Sequence, residues 1–162
     1  MKHFVAIEDF EVKELDALVK SADGFKNGTT KASLAGKTLV TMFFNPSTRT
    51  KTSFDLAMYQ LGGHSVTLEP GKSSWGIEIN EGATMDGDAE EHLKDATKVL
   101  NRYADALAVR CFPKFQDWNV DKKDLVVRQM AKWSSKPVIN METITHPCQA
   151  LAGFSRLYCP YS

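Results

Sequence analysis

Ser47, Thr48, Arg49 and Thr50 follow one another in the turn FFNPSTRTKTSF, residues 43–54, and offer three hydroxyls and one planar cation. Groups of that kind bind an oxyanion. Hydroxyls donate hydrogen bonds, and an arginine fork can meet two phosphate oxygens at once. The turn also leads from an apolar run into a helical stripe, so the first helical turn adds unpaired N–H groups and the positive end of its dipole. The plainer reading of the same residues is a Ser/Thr helix cap beside a solvated arginine.

Two later stretches carry groups that can act on a carbonyl. Arg110 closes ALAVR, residues 106–110, while His146 and Gln149 lie in METITHPCQALA, residues 141–152. If an acyl phosphate sits with its phosphate in the turn, attack by an amine builds negative charge on the carbonyl oxygen, and fixed donors there lower the barrier. Arg110, His146 and the Thr50 hydroxyl can supply those donors. Taken singly, His146 also reads as a turn residue before Pro147, and Gln149 as a solvated helix start.

These groups need elements to place them. Leu39, Val40, Met42, Phe43 and Phe44 predict a strand that Asn45-Pro46 stops, since proline fixes φ and biases its predecessor toward extended geometry. Phe54, Ala57, Met58 and Leu61 recur at helical spacing until Gly62-Gly63. Upstream, Val12, Leu15, Leu18, Val19 and Ala22 predict a packing helix after Asp9, a candidate cap. Residues 64–68 predict a second strand, with His64 as a structural strand-edge residue. The glycine-punctuated connection 69–87 follows. Trp75, on that connection, reads either as packing or as an anchor for a ligand or neighbouring subunit. Asp88 and Glu91 have capping-box spacing and predict a helix over 88–103. Residues 106–110 and 137–140 (PVIN) predict two more strands, with a helix capped by Asp121 between them. The fold class expected is α/β: a parallel sheet of about four strands with helices on both faces. All the candidate groups then fall at the carboxyl ends of the strands, where such sheets bind ligands.

Composition narrows the partners. The 162 residues carry 20 Lys+Arg against 20 Asp+Glu, with 43% hydrophobic residues. This fits one globular domain with no basic field to attract nucleic acid or a membrane surface. Residues 1–10 lack the apolar core of a signal peptide, so the expected location is cytoplasmic. Cys111, Cys148 and Cys159 have no metal-ligand spacing, and the four histidines show no i, i+4 pairing. Neither GxGxxG nor GxxxxGK[ST] occurs, so no metal, nucleotide or other cofactor is expected.

The Phe-x-x-x-Ser-x-Arg-Thr-x-x-Ser-Phe frame and HPCQAL together resemble the aspartate/ornithine carbamoyltransferase family. The resemblance runs to about residue 152. It implies carbamoyl phosphate as ligand, with its phosphate on Ser47, Thr48, Arg49 and Thr50, its carbonyl on Arg110 and His146, and its NH₂ on Gln149. Within the family, LEPGKSSWGIEINEG, MDGDAEEH and METITHPCQ look most like the branch that carbamoylates N-acetylornithine in arginine biosynthesis. That likeness implies a homotrimer in which Trp75 reaches an adjacent subunit's site. It also puts Glu142 and Glu90 beside the acylated ornithine, with Glu90 disfavouring a succinyl group by like-charge repulsion. Ornithine and succinylornithine carbamoyltransferases are neighbouring readings. The resemblance covers only the carbamoyl-phosphate domain, residues 1–152. Residues 153–162 (GFSRLYCPYS) are expected to be an atypical tail, with the amino-acid-binding domain absent and the chain inactive alone. A non-catalytic phosphate-binding module and a trimer-forming fragment are the alternatives from other classes.

Overall fold

In the computed structural model, residues 2–158 are described. Along the chain the elements are α1 (Val12–Lys26), β1 (Thr38–Phe43), α2 (Arg49–Gln60), β2 (His64–Leu68), β3 (Ile77–Glu78) and β4 (Glu91–His92). They continue with α3 (Leu93–Tyr103), β5 (Ala106–Arg110), α4 (Trp118–Asp121), α5 (Leu125–Trp133), β6 (Val138–Glu142) and α6 (Pro147–Tyr158). Four strands form one parallel sheet in the order β2-β1-β5-β6. The expected α/β architecture is therefore observed. The chain moves from β1 to β2 on one side and returns to β5 on the other, so strand order reverses between β1 and β5.

The two central strands are buried along almost their whole length, which is why TLVTMF and ALAVR read as continuous runs rather than alternations. The period of two reappears in what each side chain packs against. Val40, Met42, Leu107 and Val109 meet Leu93 of α3 and Val126, Val127 and Met130 of α5 on one face. Leu39, Phe43, Ala108 and Met141 meet Met58 of α2 on the other. Burying each such side chain stabilises the fold by roughly 1.5–3 kcal/mol, and these residues come from every strand that carries a candidate group. Thr41, fully buried in β1, shares a 3.0 Å hydrogen bond with Thr67 of β2 and so brings no unpaired hydroxyl into the sheet.

Several local expectations change. The Asp88/Glu91 pair does not cap a helix. Glu91 and His92 instead pair in parallel with Ile77 and Glu78, and α3 begins at Leu93 with the His92 ring accepting from the Lys94 N–H. Asp121 ends α4, and the residue ahead of α5 is Asp124, in left-handed geometry at φ 48°. The fourth strand runs two residues beyond PVIN, to Glu142. Ahead of α1, Glu11 takes the cap position in place of Asp9, with the Glu14 carboxylate accepting the Glu11 N–H at 2.8 Å. Of the α1 stripe only Val19 is buried, while Val12 is 82% exposed. The helix leans on α6, where Ser155 donates to Asp23 at 3.1 Å. Residues 153–158, expected as the start of a tail, continue α6; residues 159–162, Cys159 among them, lie outside the described residues.

Candidate active site

The turn after β1 is held at both ends. Ser47 Oγ, one residue ahead of the Thr48 cap position, accepts the Thr50 N–H at 3.2 Å, and Ser53 Oγ donates to the Thr50 carbonyl at 2.9 Å. Thr48 and Arg49 are exposed, and Arg49 has no ion-pair partner among the described residues. A cation on a helix's first turn opposes the dipole, so its placement suits an arriving anion better than it suits the helix alone. Across the strand-order reversal, Asn45 Oδ1 accepts the Phe112 N–H at 2.7 Å, and the Phe44 N–H donates to the Arg110 carbonyl at 3.0 Å. These two bonds tie the Ser47–Thr50 turn to the end of β5.

Arg110 is 9% exposed, and two groups define its surroundings. Nη1 pairs with the Glu142 carboxylate, the guanidinium carbon lies 4.4 Å from the centre of the Phe112 ring, and Nε is buried without a partner. Glu142 is beside Arg110 because of an irregularity in the sheet. Val109 pairs with Asn140, but Arg110 pairs with Glu142, so Met141 is an extra residue on β6. Such bulges re-aim the side chains that follow them. Met141 fills the core and Glu142 turns to the arginine, with the Cys111 N–H donating to the Glu142 carbonyl at 3.1 Å.

His146 stands at the start of α6, its Nε2 4.0 Å from Glu142 Oε2. Nδ1 accepts a long 3.4 Å bond from the Gln149 N–H, and a neutral imidazole so engaged carries its hydrogen on Nε2. Its loop is fixed from below. Asn140 Nδ2 donates to the Val5 carbonyl and to Thr143 Oγ1, each at 2.9 Å, with Thr145 Oγ1 3.3 Å away, and Thr143 donates to Asp124 at 2.6 Å. Burial raises the Asp124 carboxyl, partly offset by the Thr143 hydrogen bond and by Arg128. The neighbouring thiols Cys111 and Cys148 are pushed up to about 11, again by burial, so both stay protonated at neutral pH and neither is an activated nucleophile.

The structure thus brings Arg110, Glu142, His146 and Gln149 together at one end of the sheet, next to the turn bearing Ser47, Thr48, Arg49 and Thr50. Trp75 and Glu90 form a second group. Glu90 accepts the Gly76 N–H at 2.7 Å, and the two residues line an open cavity of about 700 Å³ with Lys72 and Asp88. Trp75 is 66% exposed. Asn45, Phe112, Asn140, Thr143 and Asp124 were not legible as site residues. Among the described residues no cluster of His, Cys, Asp and Glu can hold a metal ion, and no helix is long and apolar enough to cross a membrane.

A family model for the carbamoyl-P binding domain of aspartate/ornithine carbamoyltransferases matches residues 2–158. The chain belongs to that family. Among relatives of this family, N-acetylornithine carbamoyltransferase of Xanthomonas campestris is 54% identical over 152 residues, covering 94% of this chain and 45% of the relative. N-succinylornithine carbamoyltransferase of Bacteroides thetaiotaomicron is 34% identical over 155 residues, covering 94% of this chain and 48% of its own length. A crystal structure of acetylornithine transcarbamylase complexed with acetylcitrulline superposes with a TM-score of 0.92 at 53% identity, covering 97% of this chain and 47% of that one. The chain therefore spans a little under half the length of the carbamoyltransferases it matches.

Proposed function

We propose that this chain is the carbamoyl-phosphate half of a carbamoyltransferase that acts on N-acetylornithine in arginine biosynthesis. The observation that carries the reading is convergence. A hydroxyl- and arginine-bearing helix start, a buried arginine and a histidine at a second helix start meet where the strand order reverses, and two hydrogen bonds lock the first two together. In this reading Ser47, Thr48, Arg49 and Thr50 hold the phosphate. Arg110, His146 through its Nε2 hydrogen, and the Thr50 hydroxyl stabilise the carbonyl oxygen as the ornithine amine attacks. Gln149 takes the carbamoyl NH₂, the new C–N bond forms as the C–O bond to phosphate breaks, and phosphate leaves with the electron pair and takes up the proton that the amine loses. Acetylornithine is favoured over succinylornithine by the relatives' identities of 54% and 34%.

Trp75, exposed on its loop, would serve an adjacent subunit in a homotrimer, and Glu90 and Glu142 would face the acylated amino acid. Residues 1–152 make the carbamoyl-phosphate domain, and the remaining amino-acid contacts come from a part that these 162 residues do not carry. The chain alone is accordingly expected to bind without turnover, because closure over the substrate and exclusion of water need that other part.

The test is calorimetric titration with carbamoyl phosphate of the chain and of Arg49→Ala. Charge-assisted hydrogen bonds contribute about 1.5–3 kcal/mol, so the variant should bind roughly 13- to 160-fold more weakly. Equal binding by both, or none by a folded wild-type chain, rejects the phosphate site. Sustained N-acetylcitrulline formation by the chain alone rejects the half-site reading, and light scattering separates a monomer from a trimer.

A further inference from the structure

We infer that Glu142 is a positioning residue for Arg110, holding one arm of its fork so that the remaining donors are set for the carbonyl of carbamoyl phosphate before any amine arrives. The inference rests on the carbamoyl-phosphate reading and gives Glu142 a task separate from contact with the amino acid.

Three observations support it. First, the contact is built by the sheet: without the register shift after Val109, Arg110 would pair with the core residue Met141 rather than with Glu142. Second, Arg110 is almost wholly enclosed, and a cation there needs a counter-charge, which Glu142 supplies while its own side chain remains 30% exposed toward the site. Third, the pairing does not exhaust the fork. Glu142 occupies Nη1, Phe112 covers the guanidinium face and Nε is buried, but Nη2 makes no hydrogen bond among the described residues and is not enclosed as Nε is. An arginine that is oriented and charge-balanced, with donors left over, is pre-organised for an incoming carbonyl oxygen.

The inference makes a prediction opposite in sign to simple electrostatics. Carbamoyl phosphate is an anion, so deleting a nearby carboxylate would by Coulomb's law alone tighten its binding. Loss of a positioning residue weakens it instead. Calorimetric titration with carbamoyl phosphate should show Glu142→Ala binding roughly tenfold or more weakly than wild type. Glu142→Gln, which keeps an acceptor oxygen for Nη1, should stay within about threefold. Thermal unfolding of each variant confirms that the chain is folded.

A second measurement needs no ligand. Guanidinium ¹⁵N resonances of Arg110 should show restricted rotation in wild type and Glu142→Gln, and free averaging in Glu142→Ala, with exposed Arg49 as the freely rotating internal standard. A folded Glu142→Ala chain that binds carbamoyl phosphate as tightly as wild type, or more tightly, overturns the inference. So does a wild-type Arg110 that averages like Arg49. If the folded wild-type chain binds no carbamoyl phosphate, the ligand reading fails, and the Arg110 resonances still decide whether Glu142 holds the fork.

Discussion

Replacing Asn45 by alanine isolates the bond that ties the Ser47–Thr50 turn to the end of β5. The amide oxygen accepts the Phe112 N–H at 2.7 Å in a partly buried position, and alanine leaves that donor with no protein partner. An unsatisfied, partly buried N–H costs about 1–3 kcal/mol. For a chain of this size each kcal/mol moves the melting temperature by about 2–4 °C, so calorimetry should record a fall of roughly 2–12 °C. Asn45→Asp separates the structural from the ligand effect. Its carboxylate keeps an acceptor in the same place and should hold the melting temperature near wild type, yet it sets a negative charge beside the turn and should weaken carbamoyl phosphate binding. Asn45→Ala with a wild-type melting temperature would refute the claim that this bond braces the site. Asn45→Asp binding as tightly as wild type would refute the claim that the turn receives an anion.

Substitutions at two other residues test neighbouring parts. Asp124 is raised above its ordinary value of 3.8 by burial, so the folded chain binds its proton more tightly than the unfolded one. Stability from this group is then full at low pH and lost as pH rises through its folded titration, and Asp124→Asn should flatten that fall in denaturant unfolding measured from acid to neutral pH. Glu90→Ala should speed hydrogen exchange at Gly76, whose N–H it accepts, whereas Glu90→Gln should preserve protection; equal exchange in both would dismiss Glu90 as a brace for the Trp75 loop.

Much of the site was readable because its parts obey local rules. Proline after Asn45 stops a strand, a serine hydroxyl accepts a backbone N–H in the first turn of the helix that follows, and an arginine closing an apolar run falls at the carboxyl edge of the sheet. What escaped was set by partners far along the chain. The spacing of Asp88 and Glu91 is that of a capping box, but the Glu90 carboxylate is engaged by Gly76 and Glu91-His92 by Ile77-Glu78, so the helix starts later. No residue pattern announced Met141 as an extra residue, because a bulge depends on how β6 registers against β5. Asn45 looked like a strand stop, and its bond to Phe112 spans 67 positions of sequence.

The outer edge of β6 is completed by the beginning of the chain. Phe4 bridges Ile139, the Phe4 N–H donates to the Val138 carbonyl, and Asn140 donates from its backbone to Phe4 and from its side chain to Val5. The side-chain bond joins residues 135 positions apart. At about 5–20 residues per second, a ribosome would hold residues 3–6 without their partner strand for roughly 7–27 s. The same pairing later denies neighbouring molecules an open strand edge beside the site. During synthesis that protection is missing, so dependence on chaperones should be greatest just before residue 140 emerges.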